Sequence, residues 1–353
     1  MARMRGGTPD FPEEPKFLVV ETGFVGDVLV TTPALRALRE AYPRARTTVL
    51  IRPASGTVLV GSPNIHRLLP LRKEDRRGFL SMLRVASWVR AQRFDAAFVF
   101  RPSFRSALVP ALAGVPVRAG LSSEGRGLLL THRAPYRPSE SEVKKHLKVV
   151  GLVGVPPSGH ELEMFLTDEE RGEAAELLSA LPGRPLVGIH PGANWPIRRW
   201  PAERFAELGA RLTNEVGASI AYLAGPVDRE TIASIRQWYR ENGQAEPSVI
   251  EPPNIRVLGA VFAAADVVVT NDSGPLHIAS AVGVESVFIH GPTLVERAHL
   301  PDPRHTDLFA NGVPCRPCDS TTCSQDRLLC FEGVTVDHAL DAVSARLPRL
   351  RDA

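Results

Sequence analysis

Short apolar runs alternate with amphipathic stretches along almost the whole chain. Residues 16–20 (KFLVV) predict a buried first strand, and residues 28–42 carry apolar side chains at the spacing of a helix face. The alternation repeats and starts again at residues 186–190, after a Pro/Gly-rich segment. Strands that alternate with helices predict parallel, doubly wound sheets. The further predicted strands are residues 47–51, 67–71, 94–100, 115–121, 219–223, 255–258, 267–269 and 287–290.

Two copies of this pattern predict an α/β protein with two Rossmann-like domains. A chain of 353 residues exceeds the size at which one hydrophobic core keeps growing. We expect a disordered leader over residues 1–15, an N-terminal domain over residues 16–165 and a C-terminal domain over residues 166–353. Two such domains joined by one linker are expected to face each other across a cleft. Sheets of this type bind ligands beyond the carboxyl ends of their strands, so we expect the ligands in that cleft.

A polar turn with the sequence NDSG, residues 271–274, follows the strand predicted at residues 267–269. Pro275 suits the first turn of the helix that comes next. A carboxylate, a hydroxyl and backbone N–H groups at a helix N-terminus are suited to bind an anion and sugar hydroxyls. The alternative is an ordinary capped turn, which uses the same residue types.

The turn after the first strand ends in Gly26-Asp27. It lacks the three-glycine dinucleotide fingerprint and the GxxxxGK[ST] loop, which argues against NAD-binding and P-loop proteins. Asp27 begins a predicted helix, and a carboxylate in that place can take a proton from a hydroxyl nucleophile. The alternative role for Asp27 is that of a helix cap.

The loop over residues 190–200 (HPGANWPIRRW) predicts a diphosphate site. It combines Gly192 and Asn194 with the paired Arg198 and Arg199, directly before a predicted helix. Guanidinium groups form charge-assisted and often bidentate hydrogen bonds to phosphate oxygens. Two solvated arginines are the alternative interpretation.

Three histidines lie near predicted strand ends or helix starts, His190, His277 and His290. His277 ranks above the other two as a ligand-binding residue, because it follows Asp272 by five residues. Neither a GxSxG nucleophile motif nor an HExxH metal motif is present.

Composition and charge narrow the class of protein. Hydrophobic residues make up 44% and charged residues 23%, which is ordinary for a globular chain. No apolar run is long enough to span a bilayer, and the N-terminus lacks the apolar core of a signal peptide, so we expect a cytoplasmic protein. Residues 66–150 hold 17 Lys or Arg against six Asp or Glu, which indicates an anionic partner or a solvated surface. Nucleic acid is disfavoured as the partner, because aromatic residues are only 6% and do not alternate with the basic ones.

All four cysteines of the chain fall within residues 315–330. In a chain expected to be cytoplasmic, such clustering favours a metal site over disulfides. Four thiolates suit a structural zinc, with an iron–sulfur cluster as the second option and free or redox-active thiols as the alternative. The candidate ligands are Cys315, Cys318, Cys323 and Cys330.

With these segments assembled, the chain resembles the lipopolysaccharide heptosyltransferases of glycosyltransferase family 9. The likeness is carried by GFVGDVLVTTPALRALREAYP, RFDAAFVFRPSFRSALVPALAGVPVRAG, HPGANWPIRRWPAERFAEL, VVVTNDSGPLHIASAVGVESVFIHGPT and the four-cysteine segment. It is closest to the heptosyltransferase II branch. The resemblance implies the GT-B fold and inverting, metal-independent transfer of a heptose from ADP-L-glycero-D-manno-heptose to the inner core of lipopolysaccharide.

The resemblance also implies a role for individual residues. Asp27 matches the general base, and Arg198, where many relatives carry Lys, matches the residue that stabilises the departing ADP. The implied partners are an ADP-activated sugar, an anionic lipid-linked saccharide and the inner membrane surface, to which the protein would bind peripherally. Asp272 matches the residue that contacts sugar hydroxyls, and Ser273, Gly274 and His277 match residues that contact the phosphates. The other donor-binding candidates are Gly192, Asn194, Arg199 and Gly225, and the acceptor-binding candidates are Gly26, Arg101 and Arg105.

Three alternatives stay open at this point. The first is a family 9 transferase that uses another sugar or acceptor. The second is a GT-B-fold nucleotide-sugar epimerase or hydrolase, which needs one substrate besides water. The third is a non-catalytic nucleotide-sugar-binding protein, which the combination of Asp27, Arg198 and Asp272 disfavours.

Overall fold

The computed structural model describes residues 8–72, 74, 78–123, 125–318 and 320–347. The chain separates into two compact units, Met1–Phe165 and Leu166–Ala353. Within the described residues, each unit contains one six-stranded parallel sheet flanked by helices. The predicted α/β class with two Rossmann-like units is therefore confirmed.

The sheet of the first unit has the strand order β3-β2-β1-β4-β5-β6. The order reverses beside β1, and such a reversal is where parallel sheets of this type place their ligands. Its strands are β1 (Lys16–Val20), β2 (Arg46–Ile51), β3 (Arg67–Pro70), β4 (Ala96–Val99), β5 (Val117–Ser122) and β6 (His132–Pro135). Its helices are α1 (Val25–Leu29), α2 (Thr32–Ala41), α3 (Pro53–Gly56), α4 (Phe79–Gln92), α5 (Phe104–Leu112) and α6 (Glu142–Gly151).

The sheet of the second unit has the strand order β12-β11-β10-β7-β8-β9. Its strands are β7 (Leu186–His190), β8 (Ser219–Leu223), β9 (Val249–Ile250), β10 (Val267–Asn271), β11 (Glu285–His290) and β12 (His305–Phe309). Its helices are α7 (Asp168–Leu178), α8 (Ala202–Val216), α9 (Arg229–Glu241), α10 (Ile255–Ala264), α11 (Gly274–Val282), α12 (Val295–Ala298), α13 (Leu329–Glu332) and α14 (Val336–Ser344).

The central strands are buried on both faces, which explains why they are continuous apolar runs in the sequence. All five residues of β7 and of β10 are buried. Trp200 and Phe205 pack edge to face in the core of the second unit, with ring centroids 5.0 Å apart. The indole N–H of Trp200 donates to the carbonyl of Val334 at 3.0 Å, so this buried donor has a partner. The core thereby holds the loop before α8 to the C-terminal segment.

Two predicted elements differ from the structure. The helix predicted over residues 28–42 is two helices, α1 and α2, because Pro33 has no N–H group to donate to the carbonyl of Leu29. That carbonyl accepts the hydroxyl of Thr32 at 2.7 Å instead. The strand predicted over residues 255–258 is wrong, since these residues open α10. The side chain of Asn254 accepts the backbone N–H groups of Arg256 and Val257 at 2.9 and 3.0 Å and so begins that helix. Among the described residues, no helix has the length and apolar character needed to cross a membrane.

Candidate active site

The turn after β1 presents Asp27, the third residue of α1. Its Oδ2 atom accepts hydrogen bonds from the backbone N–H of Phe24 at 2.8 Å and from Nη1 of Arg101 at 3.2 Å. The first bond is a helix-capping bond, so the capping role foreseen for Asp27 is present. The side chain nevertheless remains 35% exposed, and it can meet a substrate as well.

A second carboxyl group, that of Glu21, lies beneath this turn. Glu21 is only 2% exposed, and its Oε1 accepts the backbone N–H of Gly23 at 2.5 Å. Burial raises the pKa of Glu21 to about 8, and the charge of Asp27 adds to the rise, while the bond from Gly23 and the charge of Arg101 oppose it. A Cβ atom on Gly23 would lie 2.3 Å from Oδ2 of Asp27, so only glycine fits between the two carboxyl groups.

The predicted acceptor residues surround the same end of the sheet in the first unit. Arg101 contacts Asp27, and Arg105, on the first turn of α5, lines a cavity of about 90 Å³. Gly26 lies within α1, where its carbonyl accepts the N–H of Val30 at 3.1 Å. Other residues that line the cavity are Thr22, Arg52, Met82, Val85, Ser103 and Val109.

In the second unit, the side chain of Asn271 holds the loop that follows β7. Its Nδ2 donates to the carbonyls of Pro191 and Gly192 at 2.8 and 3.3 Å, and its Oδ1 accepts the N–H of Trp200 at 2.9 Å. Asn271 is fully buried, so these three bonds are shielded from water. The loop is thereby attached at both ends to the last residue of β10.

The two arginines of this loop have different surroundings. The guanidinium of Arg198 stacks over the ring of Trp195, with Cζ 4.5 Å from the ring centroid. Nε of Arg199 donates to the carbonyl of Ala193 at 2.8 Å, which stabilises the loop itself. Asn194, the predicted third polar member, is exposed. Of the two arginines predicted to bind a diphosphate, Arg198 is therefore a cation stacked on an aromatic ring, and Arg199 holds the loop in position.

Two glycines let neighbouring loops approach Asp228. A Cβ atom on Gly192 would lie 1.9 Å from Oδ1 of Asp228, so this position accepts only glycine. The N–H of Gly225, just after β8, donates to the other carboxylate oxygen at 2.9 Å. Because β10, β7 and β8 are parallel neighbours, their carboxyl ends bring Gly192, Gly225 and Asp272 to one edge of the sheet.

Asp272 lies between the end of β10 and the start of α11, and it is 5% exposed. Burial alone would raise the pKa of Asp272, but the imidazole of His290 and the charge of Arg198 outweigh it and hold the pKa well below its usual range. Ser273 is the N-cap residue of α11 without a side-chain capping bond, and a Cβ atom on Gly274 would meet only open space. The N-terminus of α11 therefore offers N–H groups beside an ionised carboxylate.

His290, rather than His277, forms the ion pair with Asp272. Nδ1 of His290 lies 3.9 Å from Oδ2 of Asp272, which is an ion-pair distance longer than a hydrogen bond. Nε2 of His290 donates to Oδ1 of Asp307 at 2.7 Å, and Nε2 of His299 lies 2.8 Å from the same oxygen. Burial lowers the pKa of His290, but the two carboxylates outweigh burial and raise it to about 9. His277 occupies the first turn of α11.

The four cysteines do not form the predicted metal site. Among the described residues, no three of their sulfur atoms lie within 4.8 Å of one another. Cys330 is buried in the hydrophobic core through α13, whereas Cys323 is exposed in an irregular segment. Burial raises the pKa of the Cys330 thiol to about 11, which opposes thiolate formation. The predicted zinc or iron–sulfur cluster at these residues is therefore not supported.

Sequence reasoning missed Glu21 and Asp307. Glu21 could have been found, because a charged residue that directly follows four apolar strand residues is placed at a buried strand end. Asp307 had no comparable signal, because β12 (HTDLF) is partly exposed and its sequence does not alternate clearly.

Comparisons with known proteins agree with this fold. The family model for glycosyltransferase family 9 (heptosyltransferase) matches residues 82–329. Lipopolysaccharide heptosyltransferase 2 of Escherichia coli is 28% identical over 306 residues, which cover 79% of this chain and 83% of that protein. The structure of E. coli ADP-heptose lipopolysaccharide heptosyltransferase II has a TM-score of 0.77 at 23% identity and covers 94% of this chain and 98% of its own. A family 9 glycosyltransferase from Veillonella parvula has a TM-score of 0.81 at 22% identity, with coverages of 96% and 98%.

The family match and the relative from E. coli show that the protein is a glycosyltransferase, and the likeness to the two solved structures shows the GT-B fold. The family model matches residues 82–329, which is more than half of the chain. The chain therefore belongs to glycosyltransferase family 9, the heptosyltransferase family, and the predicted membership is confirmed.

Proposed function

We propose that the protein transfers a heptose from ADP-L-glycero-D-manno-heptose to the inner core of lipopolysaccharide, with inversion at the anomeric carbon. Family membership and the names of the relatives support the reaction class and the substrates. The observation that carries the mechanism is the half-exposed Asp27, whose Oδ2 is held by the N–H of Phe24 and by Arg101.

Asp27 acts as the general base in this mechanism. Both of these hydrogen bonds go to Oδ2, so Oδ1 is the oxygen that we expect to accept the proton of the acceptor hydroxyl. As that proton moves to Asp27, the hydroxyl oxygen bonds to the anomeric carbon and the bond from this carbon to the phosphate oxygen breaks. A single in-line displacement inverts the anomeric centre. Removal of a positioned base typically costs a factor of about 10² to 10⁴ in rate.

Arg198 and the N-terminus of α11 stabilise the departing ADP. The leaving diphosphate gains negative charge, and a fixed cation and backbone N–H groups stabilise that charge more strongly in the transition state than in the ground state. Stacking on Trp195 restricts the orientations of the Arg198 guanidinium before the donor binds. Asp272, with Ser273, Gly274 and His277 beside it, supplies acceptors and donors for the sugar and the phosphates.

The first unit binds the acceptor in this proposal. Arg101 and Arg105 provide cations at the carboxyl end of its sheet, and the acceptor is an anionic lipid-linked saccharide. The excess of basic residues over residues 66–150 suits both this acceptor and the anionic surface of the inner membrane, to which the protein would bind peripherally.

The test is incubation of the full chain with ADP-heptose and an acceptor that already carries the first heptose. We expect the acceptor to gain the mass of one heptose, with one ADP released for each heptose transferred. ADP and free heptose without a change in acceptor mass would contradict the proposal and indicate a hydrolase. Parallel reactions with ADP-mannose and ADP-glucose test whether the protein transfers another sugar in place of heptose.

A further inference from the structure

A carboxylate beside a diphosphate site raises an electrostatic problem. Asp272 is buried and ionised at the start of α11, where the proposed function places the donor. Two negative charges a few ångströms apart repel each other strongly where water is excluded. Asp272 can therefore help to bind an ADP-sugar only if its own charge is compensated on the side away from the ligand.

His290 is placed to give that compensation. It is the last residue of β11, its side chain is fully buried, and a carboxylate faces each of its ring nitrogens. Nε2 donates to Oδ1 of Asp307 at 2.7 Å, and Nδ1 lies 3.9 Å from Oδ2 of Asp272. A neutral ring that carries its proton on Nε2 would present the lone pair of Nδ1 to the carboxylate of Asp272, so the ring attracts both carboxylates only when both nitrogens carry a proton.

His299 supports the same arrangement from the segment after α12. Its Nε2 contacts Oδ1 of Asp307 at 2.8 Å, and its Nδ1 faces the carbonyl of Leu300 at 2.8 Å. Asp307 therefore accepts from two rings at one oxygen, and the pKa of Asp307 lies below its usual range although burial opposes this. An ionised Asp307 in turn holds the proton on His290.

We propose that His290 is a positioning residue that stays positively charged, fixes the carboxylate of Asp272 and neutralises it, so that the anionic donor can bind beside it. This inference rests on the proposed function, which assigns Asp272 and Arg198 to the donor. His290 itself touches neither the donor nor the reacting atoms. The titratable groups that face its ring are Asp272, Asp307 and the stacked His299, whose ring centroid is 5.9 Å away.

The experiment measures ADP binding calorimetrically between pH 6.5 and 10 for the full chain and three variants. His290→Gln keeps hydrogen-bonding groups but removes the charge, and Asp307→Asn removes only the carboxylate that holds the proton. His338→Gln, an exposed histidine of α14, is the matched control. Circular dichroism and the melting temperature verify that each variant is folded.

We expect His290→Gln to weaken ADP binding roughly tenfold at pH 7.5, the scale of about one lost ionic interaction. In the wild type, binding weakens as pH rises through about 9, where His290 loses its proton. Asp307→Asn moves this alkaline decline to lower pH, which a purely structural effect would not do. His338→Gln leaves both the affinity and the pH profile unchanged. In transfer assays, the His290 variant raises the donor KM more than it lowers kcat.

Two results would overturn the inference. One is wild-type ADP affinity in both His290→Gln and Asp307→Asn over the whole pH range. The other is one tightly bound transition-metal ion per chain that is lost in His290→Gln, because the Nε2 atoms of His290 and His299 would then be metal ligands without protons. A wild-type protein that binds ADP in this pH-dependent way but transfers no heptose would contradict the proposed function and leave the inference intact.

Discussion

Ionisable side chains lie at or directly after the ends of buried strands at the places on which the site depends. Glu21 follows β1, Asp272 follows β10, and His290 ends β11. Each is almost fully buried, and the pKa of each is shifted by its immediate neighbours. Burial of such groups without partners would cost several kcal/mol, so their arrangement serves the site rather than the stability of the core.

Glu21→Gln is expected to stabilise the protein above pH 5. In the folded state the pKa of Glu21 is about 8, against 4.5 in the unfolded chain. Between these values the folded protein holds a proton that the unfolded chain has released, so wild-type stability falls as pH rises. The advantage of the glutamine variant therefore grows by at most about 1.4 kcal/mol per pH unit up to pH 8 and is constant above it.

Urea unfolding at pH 5, 7 and 9 measures this effect. Glu40→Gln, a change at an exposed position of α2, is the control and should leave the pH dependence of the wild type in place. Equal unfolding midpoints for Glu21→Gln and wild type at pH 9 would show that the Glu21 carboxyl is not a buried acid.

Arg198 is expected to bind the donor through both charge and planarity. Arg198→Ala should raise the donor KM by roughly ten- to a hundredfold, as for the loss of a charge-assisted contact to phosphate. Arg198→Lys should recover only part of the lost donor affinity. An ammonium group is not planar, so it neither stacks flat on Trp195 nor forms bidentate hydrogen bonds to phosphate. Steady-state kinetics with ADP-heptose measure both, and Arg240→Ala, at an exposed site on α9, should behave as wild type. A lysine variant with full wild-type KM would show that planarity has no role.

At the scale of the element, strands that form clear apolar runs could be predicted from the sequence. Helix starts that depend on a single capping residue could not. The bounds of β7 and β8 agree with the strands predicted from short apolar runs. The strand prediction for residues 255–258 is wrong because a short, mostly apolar run does not distinguish a strand from the first turn of a buried helix, and the cap by Asn254 decides the structure. The strands β6, β9 and β12 lie at or beside sheet edges, where partial exposure or short length weakens the apolar signal.

The loop after β7 depends on one side chain, and its loss should affect both stability and donor binding. Asn271→Ala removes the partners of the Pro191 and Gly192 carbonyls and of the Trp200 N–H. We expect a loss of about 2 to 4 kcal/mol in the free energy of unfolding, because these buried groups then have no replacement. Asn214→Ala, at an exposed site on α8, is the matched control.

Chemical denaturation measures the stability change, and the donor KM of the folded variant reports the position of the loop. The KM should rise, since Arg198 belongs to the same loop. A stability equal to that of Asn214→Ala would contradict the structural role assigned to Asn271.

At the scale of the whole molecule, the proposed chemistry is divided between the two units. The base Asp27 and the acceptor cations belong to the first unit, and the donor residues around Asp272 belong to the second. The sequence predicts these residues because the resemblance to glycosyltransferase family 9 covers nearly the whole chain. It could not identify the partnership of His290 with Asp307, since that contact joins two adjacent strands through register alone.

The most direct test of the general base is the turnover of Asp27→Asn in heptose transfer from ADP-heptose, measured together with ADP affinity. The asparagine keeps the size of the side chain but cannot accept the proton, so we predict a kcat lower by about 10² to 10⁴. The dissociation constant for ADP should stay within about twofold of wild type, because ADP contacts are assigned to the second unit. Asp10→Asn, at an exposed position of the first unit, should retain wild-type values. Transfer by Asp27→Asn at the wild-type kcat would contradict the assignment of Asp27 as the base.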